Sequence, residues 1–231
     1  MRHLGWPIAP EKIEGPARSL TFLGICIDLD AQLILLDPAK LAAVTALAQD
    51  WLTKKQCSYA DIDSLAGSLF WTTRVVRGGR TFLRRVVDAK KKRPHRGTLP
   101  VEPDIREDIR WWVSFLTAFN GRALIPESDW TANSSTWTLS TDASGSGFGA
   151  RWNNRFLCGT WSPSQLAQVQ RQKGIAISTL ELAAIVIAAK SWGQHWRSRK
   201  ILVQCDNEPS VTTINAESCT DPLMMMLTRE L

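Results

Sequence analysis

Three acidic residues in this sequence stand where a catalytic site would want them. Asp142 closes an alternating, strand-like run in LSTDASGSG. Glu181 lies in the first turn of an apolar helical pattern, ISTLELAAIVIAA. Asp206 ends a short apolar strand in ILVQCDNEPSV. Carboxylates that converge and stay ionised need cations, and hard oxygen donors of this kind suit Mg²⁺ or Mn²⁺. Two such ions about 3.5–4 Å apart activate a water and stabilise the leaving oxygen of a phosphodiester. Each acid also has a purely structural reading. Asp142 is placed as a turn residue before a Gly-rich bend. Glu181 is placed as the N3 partner of Ser178 in a capping box. Asp206 is placed as the N-cap of a helix opened by Pro209. What favours a site is their joint placement, on two strand ends and one helix start.

The elements that must carry these acids follow from the change of period along the chain. From residue 136 the pattern reads as three strands, running up to Asp142, from the Gly145–Gly149 turn toward Trp152, and over Arg155 to Trp161. A strongly apolar helix is predicted over Ser178 to Trp196, a buried strand over Lys200 to Cys205, and short helices over Glu208 to Asn215 and Pro222 to Leu231. The order β-β-β-α-β-α-α predicts a mixed α/β sheet covered by helices. The first and fourth strands of such a unit can lie side by side with the helix crossing one face, so the three acids would converge.

The part before residue 121 is different. Residues 21–36 read as a β-hairpin around Asp28-Leu29-Asp30. Helical patterns follow from Pro38, from Ser58 with Asp61 as a capping box, over Arg80 to Lys92, and from Pro103. Trp112 belongs to the apolar face of the last helix and Trp111 stands half outside it. Gly121 and the Pro126 to Ser135 region read as a linker. The organisation expected is 1–36 with the hairpin, 37–121 helical and basic, and 136–231 as the mixed sheet domain.

The net charge is +6, and it is local. Residues 74–96 hold ten Lys or Arg against one Asp, a net of +9, so the rest of the chain carries −3. Such a concentration is the footprint of a polyanion binder, nucleic acid first, although a solvated helix face followed by a basic linker has the same composition. The candidate contacts are Arg77, Arg80, Arg84, Arg85, Lys90, Lys91, Lys92 and Arg93. Beside a carboxylate cluster they point to metal-dependent phosphodiester hydrolysis. At 44% hydrophobic and 22% charged residues, a disordered or low-complexity chain is excluded. No apolar run approaches the ~18 residues of a membrane span, and no signal peptide is read. Five scattered cysteines, none in CxxC, suit a reducing, intracellular compartment, with cytoplasm and nucleus not distinguished. His3, His95 and His195 lack ligand spacing.

TDASGSGFGA, STLELAAIVIAAKSWG and CDNEPSVTTIN, in that order, resemble the RNase H domain of retroelement polyproteins, in particular DIRS-like (tyrosine-recombinase) retrotransposons. LGWPIAPEKIEGPARSLTFLGICIDLD resembles the end of the reverse transcriptase palm in that family. DSLAGSLFWTTRVVRGGRTFLRRVVD resembles its thumb and connection helices, and REDIRWWVSFLTAFNG the segment leading into RNase H. The resemblance implies an RNase H-like mixed sheet. It implies that Asp142, Glu181 and Asp206 match the family's first three metal-binding acids, with Mg²⁺ (or Mn²⁺) as cofactor. It implies an RNA/DNA hybrid as substrate, the RNA strand being cut, with the basic helices holding the duplex through its phosphates.

The sequence departs from that pattern in two places. The family's polymerase aspartates, which lie upstream of FLGI, have no counterpart here. The family's further strand and helix, with a fourth Asp, would follow Leu231. The expectation is therefore a fragment of a polyprotein that normally also supplies the missing palm and C-terminal RNase H segment, with an exposed strand edge at Ile201 to Cys205 and weak or absent activity in isolation. A non-catalytic nucleic-acid-binding remnant of a retrotransposon is the alternative expectation.

Overall fold

The computed structural model describes residues 9, 13–92, 97–119, 121–123, 137–171, 174–197 and 199–231. They fall into two units, residues 1–79 with 85–128, and residues 80–84 with 129–231. The linker region Pro126 to Ser135, and His3, His95 and Arg93, lie outside the described residues.

The first unit opens on a meander, β1 (Ser19–Phe22), β2 (Ile25–Asp28) and β3 (Leu33–Leu36). The hairpin expected over 21–36 is thus only part of it. Leu23 and Gly24 both take left-handed backbone (φ 51° and 77°), and this second tight turn folds β1 back onto β2. Asp28 closes the β2–β3 turn by accepting the Ala31 N–H at 2.8 Å. Asp37 caps α1 (Pro38–Thr53) by accepting the N–H groups of Ala39 and Lys40. β4 (Gln56–Ser58) then leads into α2 (Tyr59–Thr72), where Ser58 and Asp61 form the expected capping box. After the 3₁₀ turn (Thr81–Leu83), which groups with the second unit, come α3 (Arg84–Lys92, its first residue likewise in the second unit), β5 (Thr98–Pro100), α4 (Pro103–Ala118) and β6 (Arg122–Ala123). β5 pairs with β4, and β6 with β3. Trp51, Leu65, Leu69, Ile109 and Trp112 are fully buried and form the core of this unit, whereas Trp111 stays partly exposed, as its position beside the apolar face requires.

The second unit carries the three acids. Its strands are β7 (Thr138–Ala143), β8 (Gly147–Trp152) and β9 (Arg155–Thr160). α5 (Pro163–Val169), β10 (Gln170–Arg171), β11 (Gly174–Ile175), α6 (Ile177–Trp192), β12 (Leu202–Gln204), α7 (Glu208–Ala216) and α8 (Pro222–Thr228) complete it. The sheet order is β12-β7-β8-β9, with β12 parallel to β7 and the other pairs antiparallel. This is the mixed sheet covered by helices that the order of the sequence patterns predicts. Two features depart from the expected element order. α5, with its Ser162/Gln165 capping box, and the short β10–β11 hairpin precede α6. α6 ends at Trp192, because Gly193 opens a 3₁₀ turn instead of a further helical turn. β12 is three residues long and half-buried, not a buried strand over 200–205. At the sheet edge, among the described residues, it has β7 alone as neighbour.

Alternation sets the faces. Leu139 and Ala143 of β7 pack in the two apolar clusters that include Ala188, Trp192 and Leu180 of α6. Thr141, between them in the period-2 pattern, therefore faces α6 as well. Burying these apolar side chains is what fixes the helix across the sheet, at roughly 25 cal/mol per Å² removed from water.

The Asp61 cap gives a direct test of local stability. The Ser58 N–H and hydroxyl, then Lys54, hold the Asp61 carboxyl below its ordinary value of 3.8. Because folding lowers this value, the stabilisation is complete above 3.8 and is lost as pH falls through the lower, folded-state value. Asp61→Ala is expected to cost about 1 kcal/mol at pH 7. The cost should shrink in strongly acidic urea titrations; an equal cost at both pH values would contradict this account of the cap.

Candidate metal and nucleic-acid site

Glu181 is 3% exposed, on the face of α6 that meets the sheet. The capping-box reading with Ser178 fails on register. The N-cap is Ala176 and the helix starts at Ile177, so Glu181 lies beyond N3 and no side chain caps the helix. The carboxylate instead accepts the N–H of Ala143 at 3.1 Å, from the end of β7. Asp206 follows β12 and is exposed. The N-cap role goes to Asn207, whose Oδ1 accepts the Ser210 N–H at 3.0 Å, which leaves Asp206 free of that task. Asp142 is exposed one residue before the end of β7.

The parallel pairing of β7 with β12 puts the two strand ends side by side, the last paired residues being Gln204 and Ser140. An open groove of about 580 Å³ lies there, lined by Thr141, Asp142, Cys205 and Asp206 among others. One ligand atom each from Glu181, Cys205 and Asp206 lie within 4.8 Å of one another. Asp142 lines the groove but stands outside that triple. Burial pushes the Glu181 carboxyl above its ordinary value, the Ala143 N–H opposes this, and the charges of Asp142 and Asp206 push it further up. Three mutually repelling carboxylates beside one groove are a donor set that fits a hard divalent cation.

Two residues of the groove were missed in the sequence. Cys205 donates toward Glu181 Oε2 at 3.9 Å, and burial pushes its thiol up. Thr141 is 8% exposed, and among the described residues its hydroxyl has no hydrogen-bond partner. The signal for Cys205 is its spacing of two from Val203, which packs against the α6 cluster, with the exposed Gln204 between them.

The basic residues divide by exposure. Arg85 is spent within the first unit: it pairs with Asp104, Glu107 and the buried Asp108, the last at 2.8 Å. Lys90 pairs with Asp63, which raises its value. Arg84 is half-buried. Arg77, Arg80, Lys91 and Lys92 are exposed. Of these, Arg80 belongs to the second unit and the other three to the first.

No family model matches the sequence, and a search of the curated proteins finds no match. The chain is similar to solved structures of a foamy viral protease-reverse transcriptase. For the complex with an RNA/DNA hybrid the TM-score is 0.38 at 12% identity, over 91% of this chain and 27% of that one. For a complex with double-stranded DNA it is 0.36 at 12% identity, over 89% of this chain and 40% of that one. This chain spans well under half the length of these relatives. Among the described residues, no helix is long and apolar enough to cross a membrane.

Mutual repulsion of the acids has a measurable consequence without any activity assay. Asp142→Asn should raise the Tm of the protein in EDTA, since it removes one of the repelling charges. Mg²⁺ should raise the wild-type Tm, by an amount equivalent to about 2.7 kcal/mol at a hundredfold excess over Kd. The Mg²⁺ effect should be smaller in Asp142→Asn. Equal Mg²⁺ shifts in both proteins would contradict the cation site.

Proposed function

We propose that this chain is part of a retroelement reverse transcriptase polyprotein of the DIRS-like group, and that its second unit hydrolyses the RNA strand of RNA/DNA hybrids. The observation that carries this reading is the buried Glu181 carboxylate held against the end of β7 with Asp206 beside it and Asp142 on the same groove. Glu181, Asp206 and Asp142 are the residues that would hold Mg²⁺ or Mn²⁺. When bound, such an ion supplies charge stabilisation at the phosphodiester and lowers the pKa of the attacking water.

The chain's own contributions are positional. The Ala143 N–H orients one Glu181 oxygen and leaves the other toward Cys205. The groove is open, which suits an extended sugar–phosphate backbone better than an enclosed small molecule. Arg77, Arg80, Lys91 and Lys92 offer exposed cations to phosphates, giving binding that weakens with salt. An intracellular, reducing location is supported by the scattered, odd-numbered cysteines. Polymerase activity is not proposed, since no polymerase aspartate motif stands in these residues.

A second reading, a binding module without chemistry, is favoured by one observation: among the described residues two carboxylates join the 4.8 Å cluster, with Asp142 outside it. Cleavage of a labelled RNA/DNA hybrid by the full chain, with Mg²⁺ and then Mn²⁺, decides between them. The nuclease reading expects slow cleavage of the RNA strand that falls about a hundredfold or more in Asp142→Asn, the loss of several kcal/mol of charge stabilisation. Hybrid binding should survive in Asp142→Asn and weaken in Lys91→Glu/Lys92→Glu. Salt-sensitive binding with no cleavage in either metal would establish the second reading.

A further inference from the structure

We propose that Glu181, Cys205 and Asp206 also form a site for a thiophilic divalent cation of the zinc class, which competes with Mg²⁺ and holds the groove in an inactive state. The inhibitory consequence rests on the cation-site reading given above; the coordination itself stands on these side chains alone.

The donor set is what distinguishes this cation from Mg²⁺. Hard ions take oxygen, whereas a thiolate beside carboxylates favours Zn²⁺, with Zn–S about 2.3 Å and Zn–O about 2.0–2.2 Å. A tetrahedral ion with those bonds keeps its sulfur and oxygen roughly 3.5 Å apart. Cys205 Sγ and Glu181 Oε2 are already 3.9 Å apart, and ligand atoms of all three residues lie within 4.8 Å. Among the described residues no other three His, Cys, Asp or Glu side chains bring their ligand atoms this close. Among the described residues, the other cysteines, Cys26, Cys57, Cys158 and Cys219, join no such group.

An independent observation points to a ligand at the same place. Thr141 is more than nine-tenths buried, lines the groove with Cys205 and Asp206, and its hydroxyl has no partner among the described residues. A buried hydroxyl without a partner is costly. Thr141 and Cys205 follow the Ser140–Gln204 pair on neighbouring strands, and both line the groove. Three protein ligands leave a tetrahedral ion one open position, and a water there accepts the Thr141 hydroxyl. Binding breaks the Cys205 S–H bond and forms S–Zn, with the proton released to solvent. Zinc has no redox chemistry, so no oxidant or reductant enters.

The test uses the full chain, kept reduced with a phosphine, and Co²⁺ as a spectroscopic probe of the same site. Co²⁺ should produce a near-ultraviolet thiolate-to-cobalt charge-transfer band that Zn²⁺ displaces. Cys205→Ser should abolish the band and weaken Zn²⁺ at least tenfold, while Cys158→Ser retains both. Thr141→Val should weaken Zn²⁺ severalfold with the band intact. A band that survives in Cys205→Ser, or equal Zn²⁺ affinity in wild type and Cys205→Ser, would overturn the proposal. Metal-dependent hybrid cleavage without the band would sink this inference and leave the nuclease reading standing. The band without cleavage would do the reverse.

Discussion

One hydrogen bond organises the site: the N–H of Ala143 donated to Glu181 Oε1 at 3.1 Å. A carboxylate that is 3% exposed must find compensation, since burying a charge without partners is far more costly than any single contact is favourable. The end of β7 supplies one backbone donor, and the neighbouring groups are mostly anionic. Burial and two aspartate charges therefore raise the carboxyl, and one amide and one thiol oppose them. This balance leaves the groove rich in carboxylates with little positive charge against them, the setting in which the proposed divalent cation would act.

Everything around that bond serves to hold two strand ends and a helix flank in register. The apolar face of α6 fixes the helix over β7 and β8 through Leu139, Ala150, Trp152, Ala188 and Trp192. The parallel β7–β12 pair aligns Ser140 with Gln204, so Asp142 and Asp206 leave the sheet at the same end. At the β8–β9 step, backbone approaches so closely that a Cβ at Gly147 would stand 2.4 Å from the Gly159 carbonyl oxygen. Glycine is required there by the close approach alone.

Much of this was legible in the sequence, because period and punctuation report burial directly. The three strands, the apolar helix and the acids at their ends follow from alternation, the 3.6-residue period and the Gly145–Gly149 turn. What was misread follows from competition between equivalent local signals. Ser178 and Glu181 have capping-box spacing, yet the helix starts at Ile177 and Glu181 turns to the sheet. Asp206 and Asn207 are both good N-caps, and only the fold selects Asn207. The Ser162–Gln165 capping box of α5 is a helix signal too, but the helix it opens is only seven residues long. Arg85 looked like its basic neighbours; its buried partner Asp108 lies 23 residues away, beyond any local pattern. Cys205 carries no more than a period-2 signal and Thr141 none, and the two come together when two strands and a helix meet.

The claim on which the account turns is that the buried Glu181 carboxylate holds a divalent cation together with the strand-end aspartates. Mn²⁺ binding to the full chain, followed by electron paramagnetic resonance of the free ion, tests it without reference to any substrate. The account predicts that the chain removes free Mn²⁺ signal saturably and that Glu181→Gln lowers the affinity at least tenfold while the protein stays folded by circular dichroism. Equal Mn²⁺ affinity in the wild type and in a folded Glu181→Gln variant would contradict it.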